Sequence, residues 1–228
     1  MTGLSLADNG GQSMEENGTS DSWFVRRMMK LTPFEKWMMD RPGRVSQTQG
    51  AAMELFQQIS LPADARCLEI GCGQGVITRM LVDRFGAPLV ATDFDPDQVA
   101  AAKMRLHDLE EKVDFRVVDA RDMPFADGCF DAVFSFGVLH HLIRDWRRAL
   151  SEASRVLQPE GWLVCTDLLA PRWLERLCRG LLPRLDLLGE ARLLDALNEN
   201  GLRLVFFASS GAPVAGLMSH CALVAQKQ

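Results

Sequence analysis

With 228 residues, 47% of them apolar, the chain has enough core-forming side chains for a single globular domain of substantial size. Its formal net charge of −5 offers no general attraction to nucleic acid or to an anionic membrane, so no nucleic-acid partner is expected. No apolar run approaches the roughly 18–20 residues of a transmembrane segment and no apolar leader opens the chain, which predicts a cytoplasmic protein. Six cysteines, at 67, 72, 129, 165, 178 and 221, contain no C-x-x-C pair and read as reduced thiols.

Residues 1–20, rich in Gly, Ser, Asn and Glu, predict a disordered tail. Over 21–45 the composition changes. Trp23, Phe24, Met28, Leu31, Phe34, Trp37 and Met38 recur at spacings of three and four among Arg26, Arg27, Lys30 and Lys36, and Pro33 divides two helical pieces. A helical lid or cap over a ligand pocket, a peripheral membrane contact, and ordinary packing on a sheet edge all fit this pattern. After a polar break at 40–44, Ser46 and Gln49 suggest a capping box for a helix over 47–59, and the main domain is expected to run over 46–228.

The stretch Cys67-Leu-Glu-Ile-Gly-Cys-Gly-Gln-Gly75 reads as a short apolar strand entering three alternate glycines. Glycine permits positive φ and lets backbone approach a ligand. A helix follows with Val76, Ile77, Met80, Leu81 and Phe85 at helical spacing and Gly86 as its stop. Strand, turn and helix N-terminus are expected to present free N–H groups to something polar or anionic, with Glu69 placed to meet a cation. The next strand ends at Asp93, 24 residues beyond Glu69, near the spacing at which an acid meets ribose hydroxyls. Together these features predict a nucleoside-containing ligand. The dinucleotide fingerprint G-x-G-x-x-G counted from Gly71 would need glycine where Val76 stands.

The pattern E-x-G-x-G-x-G instead resembles the first motif of class I S-adenosylmethionine-dependent methyltransferases, of the methyltransferase type 11 kind. The resemblance continues. Asp119-Ala120 and the following 123–131 are similar to the family's D-A…LPF.D..FD run, the segment 137–142 with His140 and His141 to its VLHHL segment, and 155–161 to its RVLKPGG turn, with Glu160 in place of the first glycine. It implies S-adenosylmethionine as cofactor, with Glu69, Gly71, Cys72, Gly73, Asp93, Phe94, Asp119, Ala120 and Phe136 around it. By that resemblance Asp119 accepts from the adenine amino group, the Ala120 N–H faces a ring nitrogen, and Phe94 packs on the base. Simple core filling fits Phe94 equally well.

Asp95 with Pro96 marks a firm helix start, strands follow at 113–118 and 132–136, a helix at 144–157 and a fifth strand at 162–167. Trp173, Leu174, Leu177, Leu181 and Leu182 alternate with Arg172, Arg176 and Arg179, a basic amphipathic helix that covers an acceptor pocket or forms a membrane or partner surface. A last helix over 191–200 and strands at 202–208 and 221–225, joined by a mobile segment 209–219, complete the pattern. The expected fold is α/β, Rossmann-like and doubly wound. The resemblance makes it a mostly parallel seven-stranded sheet with an antiparallel last strand and helices on both faces.

His140 and His141 are the ionisable pair that the motif places near methyl transfer, and each is a candidate general base or a cap of the following helix. His107, His140, His141 and His220 have no ligand-like spacing to cysteines or acids, so no metal is expected. The expected activity is methyl transfer to a small, apolar or amphipathic acceptor. A nicotinamide oxidoreductase and a non-catalytic cofactor-binding regulatory protein remain as alternatives, and oligomeric state is not legible.

Overall fold

Burial of the central strands on both faces sets the layers of this domain. The computed structural model describes residues 42–182, 186–214 and 218–228, all within one compact unit. The expected tail at 1–20 and most of the expected cap at 21–45 lie outside the described residues. Helix α1 is Pro42–Phe56, followed by β1 Cys67–Ile70, α2 Val76–Phe85, β2 Leu89–Asp93, α3 Pro96–Arg105, β3 Val113–Val117, β4 Phe130–Phe136 and α4 Trp146–Val156. Then come β5 Leu157–Leu169, α5 Arg172–Leu181, α6 Glu190–Glu199, β6 Leu202–Val214 and β7 Met218–Lys227.

The seven strands form one sheet in the order β3-β2-β1-β4-β5-β7-β6, parallel except for β7, which runs antiparallel to both neighbours. Successive strand residues point to opposite faces. On one face Cys67, Leu89, Ala91, Phe115, Ala132, Phe134, Phe136 and Val164 pack with Leu55 and Phe56 of α1, Leu81 and Val82 of α2 and Val99 and Ala102 of α3 in one buried cluster. Phe56 anchors it, edge-on to Phe85, Phe134 and Phe136 at 5.4, 5.9 and 6.1 Å. The alternate residues Leu68, Val133, Leu163 and Cys165 are equally buried on the other face, the side left to α4 and α6. There Trp146 is fully buried, with the Arg147 guanidinium 4.6 Å from its ring. Burial on both faces is why the central strands read as continuous apolar runs.

Three boundaries differ from expectation. The first helix begins at Pro42, so Ser46 and Gln49 lie inside it and form no capping box, and 42–44 belong to the helix rather than to a break. Proline suits a first helical position, where its missing N–H has no partner to lose. Residues 209–214 continue β6 and 218–219 begin β7: the two strands pair through Ser210↔His220 and again at Val214↔Met218. Backbone pairing carries a ribbon there without an apolar pattern. The turn at 158–161 is a bulge inside β5, between the Phe130↔Leu157 and Ala132↔Trp162 pairs.

That bulge holds Glu160 at φ +65°, the one positive φ outside glycine among the described residues. The left-handed region costs an L side chain roughly 1 kcal/mol. Glu160→Gly is therefore expected to stabilise the domain by about 0.5–1 kcal/mol, read as a higher urea midpoint at unchanged slope. A lower midpoint would show that the glutamate side chain contributes more than the strain removes.

Candidate active site

Gly71 and Gly73 adopt φ +74° and +51° at the carboxyl end of β1, for different reasons. A Cβ on Gly71 would lie 2.3 Å from Val138 Cγ2, so the strand exit needs a bare backbone for packing. A Cβ on Gly73 would meet nothing within 4 Å. Open space lies over Gly73, and the close approach at Gly71 is to the chain itself.

The N–H groups of this turn are not free, contrary to expectation. Those of Gly71 and Cys72 donate to the Thr92 carbonyl at 2.7 and 2.8 Å, and that of Gly73 to Asp93 Oδ2 at 2.9 Å. The Asp95 N–H donates to Asp93 Oδ1 at 2.9 Å. Asp93 thus organises the turn as well as facing the site, and a carboxylate has acceptor capacity beyond two bonds. The Val118 N–H donates to the Asp93 carbonyl at 3.0 Å, which brings Asp119 and Ala120 beside the tip of β2.

Asp119 is half-buried and gripped by Arg121, whose Nε and Nη2 donate at 2.9 and 2.7 Å while the Arg121 backbone N–H donates at 2.9 Å. Burial would raise its pKa, but these hydrogen bonds outweigh burial and hold the carboxyl below its ordinary value. Arg121 also donates to Asp145, at the N-terminus of α4, at 2.9 Å. Phe94 and Ala120 are half-buried beside these acids.

Glu69 is 2% exposed, beneath the turn, and accepts from the Thr78 hydroxyl at 2.6 Å. Burial pushes its pKa up to about 7, with Thr78 opposing and Asp93 adding to the rise. Glu69 thus lies inside the turn, with its carboxyl fully enclosed. Cys72 is also buried, and burial together with Glu69 and Asp93 pushes its thiol up, keeping it neutral. Phe136 lies in the core against Phe56 rather than in the open site.

The tip of β4 repeats the arrangement at β1. Gly137 has φ +72° and its N–H donates to the Thr166 carbonyl at 2.7 Å. Two residues on, the Leu139 N–H donates to Asp167 Oδ2 at 2.8 Å, just as Gly73 donates to Asp93. Asp167 also accepts from the N–H groups of His140 and Leu168, and its Oδ1 lies 2.6 Å from His140 Nδ1. The carboxyl is 2% exposed; burial raises its pKa, and the histidine with the backbone donors brings it below the usual carboxylate value. The His140 and His141 rings stack with centroids 4.0 Å apart. His140 lies on a one-turn helix, Leu139–His141, and the N-cap position of α4 is Asp145. Because Val138 touches Gly71, the histidine segment and the glycine turn are neighbours.

Asp167 is the functional candidate that sequence reading passed over. Its signal is the dipeptide Thr166-Asp167 at the end of an apolar strand, the same pattern as Thr92-Asp93. Among the described residues no group of three or more His, Cys, Asp or Glu is arranged to hold a metal ion.

Residues 68–165 match the family model for a methyltransferase domain. Over this span, which is less than half of the chain, the protein is similar to S-adenosylmethionine-dependent methyltransferases. It is 28% identical over 144 residues to the methyltransferase GfsG of Streptomyces halstedii, covering 62% of this chain and 51% of that one. To the demethylmenaquinone methyltransferase of Thermus thermophilus it is 38% identical over 111 residues, covering 48% and 50%. The chain thus spans about half the length of these curated relatives. The structure of a geranyl diphosphate C-methyltransferase from Streptomyces coelicolor superimposes with a TM-score of 0.65 at 17% identity, covering 80% of this chain and 79% of that one, a likeness of fold. The family fits the sheet: a dinucleotide-binding domain would carry β6 in place of the antiparallel β7.

Two variants separate the roles of these residues. Gly73→Val is expected to cost about 1–2 kcal/mol of stability through its left-handed backbone and to weaken S-adenosylhomocysteine at least tenfold in calorimetric titration. Wild-type affinity in the folded variant would remove the turn from the cofactor site. For Glu69, the unfolded chain releases its proton near pH 4.3 and the folded chain near 7, so stability falls as pH rises between those values. Glu69→Gln, which mimics the protonated acid, is expected to gain in melting temperature over the ligand-free wild type between pH 5 and 8. A constant difference across that window would mean Glu69 stays ionised throughout.

Proposed function

We propose that this chain transfers the methyl group of S-adenosylmethionine to a small acceptor whose reacting atom, a hydroxyl or phenol oxygen, carries a proton that must leave. The observation that supports this is the pairing of His140 with the buried Asp167 beside the glycine turn. Because the ionised carboxylate accepts from Nδ1–H, Nε2 is left with its lone pair. Nε2 is then the atom that takes the acceptor proton, and Asp167 stabilises the charge that develops on the ring. The relatives include proteins named for quinone methylation, such as the demethylmenaquinone methyltransferase, which agrees with an apolar ring as acceptor.

The remaining site residues divide by chemistry. Asp93 would accept from the ribose hydroxyls, Asp119 from the adenine amino group with the Ala120 N–H facing the ring, and Phe94 would pack on the base. The open space over Gly73 suits the amino-acid end. When bound, S-adenosylmethionine supplies a methyl group already activated on a sulfonium. The protein's task is therefore to orient the acceptor and remove its proton in a dry pocket.

Asp167→Asn and His140→Gln test this reading. Both are expected to lower methyl transfer from radiolabelled S-adenosylmethionine to a panel of phenols and hydroquinones by about 10²–10⁴-fold while leaving S-adenosylhomocysteine affinity within threefold. Wild-type rates for both across pH 6–9 would show that alignment alone drives transfer. Label appearing in RNA or folded protein, with the small-molecule panel inert, would replace the acceptor class.

A further inference from the structure

Helix α5 is held to the domain along one narrow edge. Pro171, Leu174, Glu175 and Cys178 are half-buried, at spacings of three and four, and no residue of the helix is fully buried. Glu175 packs over Gly189, which fixes that edge. The opposite side carries Trp173, Leu177 and Leu181, which are 56%, 49% and 71% exposed, with Leu182 just beyond at 54%. Four of the nine large apolar side chains exposed among the described residues thus fall within ten positions. Arg172, Arg176 and Arg179 are exposed along one flank of this stripe, while the helix's one acid, Glu175, faces the body.

We propose that this face of α5 is a docking surface for an anionic lipid bilayer. An apolar stripe of Trp and Leu beside a row of arginines is the composition of a helix lying in the headgroup plane, its ring and leucines among the acyl chains and its guanidinium groups on phosphates. The chain as a whole carries a net charge of −5, so the arginine row of α5 is a local basic face that orients the molecule on an anionic surface. The orientation has a consequence. The segment carrying α5 leaves the carboxyl end of β5 two residues after Asp167. At its base the Ala170 N–H donates to the Leu188 carbonyl and the Asp186 N–H to the Ile143 carbonyl, both at 2.7 Å, next to the His140–His141 turn. Docking through α5 therefore turns the carboxyl edge of the sheet, where the candidate site lies, toward the membrane. The surface does not rest on methyl transfer and would serve a non-catalytic protein equally.

The test is co-sedimentation of the full chain with sucrose-loaded vesicles of phosphatidylcholine and phosphatidylglycerol at 70:30, and of phosphatidylcholine alone. Binding to the mixed vesicles is expected, at least tenfold weaker to the neutral ones and falling with salt. Each of Arg172→Gln, Arg176→Gln and Arg179→Gln should weaken it roughly fivefold, the equivalent of about 1 kcal/mol per cation at the surface. Trp173→Ser with Leu177→Ser should weaken it at least tenfold with melting temperature and S-adenosylhomocysteine affinity unchanged, so that a failure here is distinct from failure of the cofactor site. No vesicle binding by the folded wild type, or equal binding by the variants, overturns the proposal. So does self-association in sedimentation equilibrium that the Trp173→Ser, Leu177→Ser variant dissolves, because the face would then belong to a second copy. Strong protection of α5 from hydrogen exchange without lipid would overturn it too, since the face would already be covered.

Discussion

Two aspartates at strand tips, Asp93 and Asp167, hold the working edge of this sheet together. Each takes an N–H from the loop that leaves the neighbouring parallel strand, and in both cases the preceding threonine carbonyl takes the N–H of the glycine two residues before. The glycines, Gly71 and Gly137, share a positive φ that lets the chain turn back onto the next strand. A carboxylate accepts N–H bonds more strongly than a carbonyl does, and a buried one is stable only when so satisfied. The loops and the acids therefore depend on each other. Removing either acid would release a turn.

The two stitches serve different ends because their surroundings differ. Asp93 is half-buried, with Phe94 and Asp119 beside it and open space over Gly73, so the β1–β2 side can face a polar nucleoside. Asp167 is enclosed by backbone donors and reaches outward only through His140. In the proposed function one acid would meet a ligand directly and the other would act through an imidazole. Parallel topology supplies both from one local pattern, since every strand ends at the same edge and each loop has a neighbour's tip within reach.

Much of this was legible in the sequence because it depends on local patterns. Strand–glycine–helix at 67–86, the Asp95-Pro96 helix start and the acid at 93 each carry their signal within a few residues, and the structure has them where expected. Asp167 escaped because its partner is 27 residues away on the turn that follows β4, and no local pattern links Thr166-Asp167 to His140. Burial was the second blind spot. Glu69 and Phe136 belong to motifs but sit under the sheet surface, and a motif records which residue stands at a position without recording its depth. Ribbon pairing over 209–214 and 218–219 was illegible for a third reason. Its stability comes from backbone bonds between β6 and β7, which leave no apolar period to read.

With the cofactor seated as proposed, the buried acids would also link its affinity to protonation. Glu69 and Asp93 both raise the pKa of the Cys72 thiol, and Asp93 raises that of Glu69, so negative charge is concentrated under the glycine turn. A ligand bearing a sulfonium and an ammonium brings positive charge to this place, which favours the ionised form of Glu69. Binding would then release a proton at pH values below about 7, and by linkage affinity would rise with pH through that range. The product lacks the sulfonium charge and gains less from the same carboxylates. With the cofactor seated as proposed, an acidic floor beneath the turn would therefore favour the charged methyl donor over its spent form, a bias that the alternate glycines alone do not provide.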